Sequence, residues 1–166
     1  MTLFFDEMRA PDGVTRPAYE KVAAWLSQNS PEQLRSRADE AEACFRRSGI
    51  TFAVYGDTSA EERIIPFDLV PRGITGAEWS ILTRGLEQRV RALNMFLCDI
   101  YGSGDIIRAG RIPADLVYRN VYFRPEMMGI QVPHGIYTPV CGIDIVRVGE
   151  SEFYVLEDNL RTPSGV

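Results

Sequence analysis

Lysine is almost missing from this sequence. Of its 18 basic residues only Lys21 is a lysine, and the other 17 are arginine. Enzymes that handle nucleotides usually set a lysine ammonium on a phosphate, so the shortage bears on any such reading. Histidine is equally scarce. His134 stands alone in Val132-Pro133-His134-Gly135, and a Ser–His or Cys–His mechanism would have to use a residue in a turn-like setting. Ser164 lacks the G-x-S-x-G context of a hydrolase nucleophile. The three cysteines, Cys44, Cys98 and Cys141, form no C-x-x-C pair, which excludes a zinc knuckle or a dithiol motif. Isolated thiols of this kind are expected as buried apolar residues in a reducing compartment. No apolar run approaches the length of a membrane span. The segment Met1 to Arg9 carries acids where a signal peptide needs an apolar run. A cytoplasmic protein is the expectation. The formal charge of −5 speaks against nucleic-acid and membrane-surface binding, which call for a basic face.

What is present describes a globular chain: 166 residues, 45% hydrophobic and 25% charged, enough apolar material for one core. Pro17 opens a short helix to about Gln28 that buries Val22, Trp25 and Leu26. Ser30-Pro31-Glu32-Gln33 carries a cap, a first-turn proline and a reciprocal glutamine. The helix after it stripes Leu34, Ala38, Ala41 and Phe45, and Gly49 ends it. Thr51 to Tyr55 reads as a strand, and Ile64 to Val70 as an extended segment broken by Pro66. Thr75-Gly76-Ala77-Glu78 starts the longest helix, to about Tyr101. Trp79, Leu82, Leu86, Val90, Leu93, Leu97 and Ile100 recur on it at helical spacing, and Gly102-Ser103-Gly104 caps it. Beyond Pro113, three segments are rich in β-branched and aromatic residues: Val117–Phe123, Ile136–Val148 and Phe153–Glu157. The fold class is α+β, a helical N-terminal half followed by a mainly antiparallel sheet. No firm boundary divides it, so 1–166 reads as one incomplete domain, with a helical arm over 1–49 and the long helix plus sheet over 50–166.

Chemistry concentrates near the C-terminal end. Cys141 to Arg147 and Phe153 to Asn159 flank a short polar turn, a β-hairpin signal. Both runs are apolar at most positions, which predicts cover on both faces. Asp144 interrupts the first run; Glu157 and Asn159 end the second. Alternation puts Glu157 and Asn159 on one face with Asp158 turned away. A loop over Gly149–Glu152 pairs Val148 with Phe153, and counting outward sets Asp144 opposite Glu157. Two facing carboxylates repel, and burial would make that worse. A divalent cation between them reverses the sign, since magnesium prefers one or two carboxylates plus water and phosphate oxygens. A solvated hairpin end whose acids merely align is the bland alternative.

Gly142-Ile143-Asp144, the hairpin, and Glu157-x-Asn159-x-Arg161 resemble the metal-binding end of ATP-grasp enzymes. Arg63 to Arg72, Gln88 to Asn94, Phe123-Arg124-Pro125-Glu126-Met127 and the tail Leu156 to Val166 resemble the circularly permuted ATP-grasp proteins, which are glutathionylspermidine synthase-like in their catalytic part. The resemblance implies a magnesium site at Asp144, Glu157 and Asn159, with no metal role for Asp158. It implies a phosphate- or substrate-facing role for Arg161, and Mg2+ and ATP as cofactors. Arg124 is a second candidate for anion binding, with a surface or structural arginine next to Pro125 as the alternative. The expected activity of a full-length protein is amide formation between a small-molecule or peptide carboxylate and an amine, through an acyl phosphate. The lysines that hold ATP follow the metal hairpin in permuted relatives and have no counterpart here. The chain is therefore expected to be the N-terminal portion of such an enzyme, inactive by itself. The alternative is a short paralogue acting as a non-catalytic interaction module.

Overall fold

The computed structural model describes residues 4–52, 63–64, 67–161 and 163. The architecture is α+β, with helices preceding an antiparallel pair of strands. Two compact units divide between Thr75 and Gly76, with residues 1–5 belonging to the second. None of the described helices is long and apolar enough to cross a membrane.

In the unit of residues 6–75, a 3-10 turn at Pro17–Tyr19 leads into α1 (Glu20–Ser27), and α2 covers Pro31–Ser48. The expected capping box is present. Ser30 Oγ accepts from the Gln33 amide at 3.3 Å, and Gln33 Oε1 accepts from the Ser30 amide at 2.7 Å. Gly49 closes α2 at φ 66°, a left-handed conformation that glycine adopts without strain. Ser30→Ala is expected to lower this unit's stability by about 1 kcal/mol. Urea denaturation followed by helical circular dichroism checks it. Tyr19, 4% exposed, anchors the unit: its hydroxyl donates to Glu7 and accepts from the Gly73 amide. A short β1 (Thr51–Phe52) pairs antiparallel with β2 (Arg63–Ile64). The rest of the expected strand, residues 53–55, lies outside the described residues.

The second unit is built on α3 (Gly76–Ile100), followed by α4 (Asp105–Arg108) and α5 (Ala114–Tyr118). Of the predicted α3 stripe, Leu82 and Ile100 are buried, whereas Trp79 is 55% exposed. Gly104, at φ 66°, turns the chain out of α3, and Asp99 accepts from the amides of Asp105 and Ile106 to cap α4. Ile100, Tyr101 and Val117 form the core, with Phe123 and Tyr137 packed against it. The Tyr101 ring lies between these two, stacked at 5.0 Å from Phe123 and 5.5 Å from Tyr137.

Three expectations need correction. Val117–Phe123 is not a strand: Pro113 starts α5, and Asn120 Oδ1 turns the chain by accepting from the Tyr122 amide. Val117 and Phe123 serve the aromatic core instead of a ladder, while Val121 and Tyr122 are exposed. Over Ile136–Val148 only β3 (Gly142–Arg147) is strand. The Tyr137 amide, which a ladder would need, donates to Asn94 Oδ1 at 2.8 Å. Cys44 and Cys98 are exposed rather than buried, and all three thiols are free.

Candidate metal-binding hairpin

Strand β3 pairs antiparallel with β4 (Phe153–Asn159), and Arg147 faces Phe153. The Val148 amide donates to the Glu152 carbonyl, so the loop is Gly149–Ser151, one residue shorter than the Gly149–Glu152 of the sequence reading. Counting from there without interruption would not set Asp144 against Glu157. A bulge intervenes: Ile145 faces Val155 and Asp144 faces Glu157, leaving Leu156 as the extra residue. The expected facing pair is present because two one-residue offsets cancel.

The bulge also decides which way the acids point. In an unbroken strand Phe153, Val155, Glu157 and Asn159 would share one face. The inserted Leu156 lets Phe153 and Val155 turn to α3 while Glu157 and Asn159 take the other side, a re-aiming that bulges produce near functional sites. Asp158 goes with the helix face. Arg89 of α3 donates to both of its oxygens, at 2.7 and 2.6 Å. At the other end Arg147 pairs with Glu78 of α3, 7% and 14% exposed, and its guanidinium lies near the rings of Phe5 and Phe153. An apolar stripe alone leaves a hairpin free to slide along a helix. Two ion pairs of opposite polarity, eleven residues apart on α3, fix its register. Sequence reasoning missed this role for Glu78, Arg89 and Arg147. The available signal was an arginine inside an apolar strand and an acid on the face away from the candidate ligands.

Between helix and hairpin lies a groove of about 620 Å³ lined by Leu82, Leu86, Ile145, Phe153 and Val155. The opposite face of the hairpin is open: Tyr154 is 54% and Leu156 69% exposed. The expectation of cover on both faces therefore fails among the described residues.

The hydrogen bonds of the Arg89 fork hold the Asp158 carboxyl below its ordinary value of 3.8; burial opposes them, and the charge of Arg89 adds a smaller lowering effect. A depressed acid stabilises the fold above its unfolded pKa and loses that contribution as pH falls through the folded one. Arg89→Gln is expected to lower stability at neutral pH. Parent and variant should converge as acid protonates Asp158, which thermal melts across the acid range would show.

Asp144 and Glu157 are exposed and Asn159 is half-buried. Asn159 Nδ2 donates to Glu157 Oε1 at 3.0 Å, placing both on one side. Among the described residues neither Asp144 nor Glu157 is paired with a cation, while Asp158 between Glu157 and Asn159 is. No three of His, Cys, Asp and Glu converge among the described residues, so a cation here would have two carboxylates, one amide oxygen, and otherwise water or ligand oxygens. That donor set is hard and under-coordinated, which fits magnesium rather than zinc.

Gly142 lets the tail fold back over β3. A Cβ there would lie 2.8 Å from Pro163 Cβ. The fold-back brings Arg161 over the Tyr122 ring, 4.8 Å from its centroid. Arg161 and Arg124 line one cleft of about 560 Å³, together with Tyr137 and Thr138. The Arg124 amide donates to the Tyr101 hydroxyl, which fixes its backbone to the aromatic core. Burial pushes the Tyr137 phenol above its usual range, with Cys98 and Tyr101 adding to the effect. His134 is exposed on the neighbouring turn at φ 56°.

The family model described as circularly permuted ATP-grasp type 2 matches residues 71–166. An uncharacterized protein of Synechocystis is 43% identical over 163 residues, covering 98% of this chain and 34% of its own length. An uncharacterized protein of Mycobacterium tuberculosis is 44% identical over 98% of this chain and 29% of its own. A Frankia casuarinae protein, provisionally named glutamate–cysteine ligase 2-2, is 42% identical over 98% of this chain and 18% of its own. The chain thus spans about a third or less of these relatives.

Proposed function

The chain belongs to the circularly permuted ATP-grasp type 2 family, and from that premise we propose that it supplies the magnesium-holding part of an ATP-dependent carboxylate–amine ligase. The observation that carries the reading is Asp144 facing Glu157 across the hairpin with Asn159 beside it. The ligase name of the Frankia relative favours bond formation. In the reaction, a carboxylate oxygen of the substrate attacks the γ-phosphorus of ATP and the bond to ADP breaks. An amine then attacks the acyl carbon, phosphate leaves, and the amine proton passes to solvent. A bound cation would neutralise charge on the moving phosphoryl group. Asp144 and Glu157 would hold it with one carboxylate from each strand. Asn159 would add its amide oxygen, the side chain turning over from its present donation to Glu157. Arg161 and Arg124 bind and orient anionic groups beside that end of the hairpin. Three free cysteines fit a reducing cytoplasm.

Titration of the chain with Mg2+ and Mn2+, followed by NMR, tests this. Resonances of Asp144, Glu157 and Asn159 should respond together, and Asp144→Asn or Glu157→Gln should weaken binding by about tenfold or more. A response scattered over surface acids and indifferent to both substitutions would sink it.

A further inference from the structure

Resting on that ligase reading, we propose that the cleft under Arg124 and Arg161 is the subsite for the carboxylate substrate, and that it takes an acid with an apolar or aromatic body, such as an N-blocked apolar amino acid or the C-terminus of a peptide. Three observations converge. First, neither guanidinium has an acidic partner among the described residues. Elsewhere in the same unit Arg89, Arg108, Arg119 and Arg147 have acidic partners. Arg161 is instead held over the Tyr122 ring, an orientation that positions a planar fork for a bidentate acid.

Second, the cleft wall is mostly apolar, and its phenols are engaged or packed. Tyr101 and Tyr137 stack, and the Tyr101 hydroxyl accepts from the Arg124 amide. Val140 and Met127 complete the apolar side. Such a wall suits a ligand with one charged end and a hydrophobic body. A nucleobase would need free edge donors and acceptors. Third, Thr138 is only 7% exposed, and its Oγ1 is buried without a hydrogen-bond partner. A buried polar group left unmatched calls for one, and Thr138 lines this same cleft. Location agrees as well: Leu160, Arg161 and Pro163 of the cleft directly follow Asn159, so an acid held there lies next to the proposed metal end of the hairpin.

The chain is titrated without metal or nucleotide, followed by NMR, using N-acetyl-L-leucine, its uncharged amide, acetate and inorganic phosphate. N-acetyl-L-leucine should shift Tyr122, Tyr137 and Thr138, with its amide and acetate each about tenfold weaker. Arg161→Gln and Arg124→Gln should each weaken the acid by about tenfold and leave the amide unchanged. Both arginines are exposed, so neither change threatens folding, and Arg161→Lys should fall between parent and Gln. Because the titration omits metal, loss of the metal assignment leaves this subsite standing, and the converse; Asp115→Asn, at an acid paired with Arg119 on an exposed helix, is the control and should have no effect. Equal binding of acid and amide, tighter binding of phosphate, no binding of the acid, or shifts confined to other regions overturns the proposal.

Discussion

Asp144→Asn is expected to stabilise the chain when divalent cations are removed and to leave it less stable than the parent when magnesium is saturating. The two effects have separate origins. Without metal, Asp144 and Glu157 face each other across the ladder, and removing one of two like charges relieves a few tenths of a kcal/mol. With metal, the parent gains a linkage term that reaches about 2.7 kcal/mol at a hundredfold excess over its dissociation constant. The variant, having lost one of two carboxylates, gains much less. Thermal melts in chelator and in magnesium therefore cross over in rank. Asp115→Asn is the control, because Asp115 already pairs with Arg119 on an exposed helix and should show no reversal. A variant that ranks the same way in both conditions would remove the cation from the site. Simple surface-charge effects cannot produce the crossing, since they act in the same direction with and without metal.

Local rules read from the sequence carried through wherever the deciding contacts lie close along the chain. The Ser30–Gln33 box, Gly49 and the long helix from Gly76 follow from capping and periodicity over a few residues. They failed where a distant partner decided the outcome. Asn94 takes the Tyr137 amide from forty-three residues away, and no property of Ile136–Val140 announces that theft of a ladder donor. The hairpin shows both cases. Its existence and the separation of Asp158 from Glu157 and Asn159 were legible from alternation. The loop boundary and the bulge were not, because Leu156 differs in no chemical respect from a residue of a regular strand. The bulge follows from two demands on β4: Phe153 and Val155 must meet α3, yet Asp158, an odd number of positions further on, must reach Arg89 on the same helix. Only an inserted residue satisfies both. Family resemblance named the candidate ligands, and the ion pairs that aim them had to be seen.

Tyr101→Ala is expected to cost about 3–5 kcal/mol, the range for deleting a buried aromatic ring. Tyr101 is 9% exposed and sits in the middle of the Phe123–Tyr101–Tyr137 stack, so its removal also forfeits two ring contacts, each worth about 0.5–1.5 kcal/mol beyond burial and partly counted in that range. Against a typical total of about 5–15 kcal/mol, this is enough to loosen the segment from Ile100 to Thr138. Tyr101→Phe separates the ring from its hydroxyl. It keeps the stack and leaves the Arg124 amide without its partner at 3.2 Å, a loss of about 1 kcal/mol. Urea denaturation of the three proteins should rank them parent, Phe, Ala, with the larger gap between the last two. Because Arg124 and Tyr137 both flank the anion cleft, the Phe variant should also shift their NMR signals while the hairpin signals stay in place. An Ala variant within about 1 kcal/mol of the parent would mean that the stack is not what holds this part of the chain together. The placement of Arg124 beside Arg161 would then need another cause.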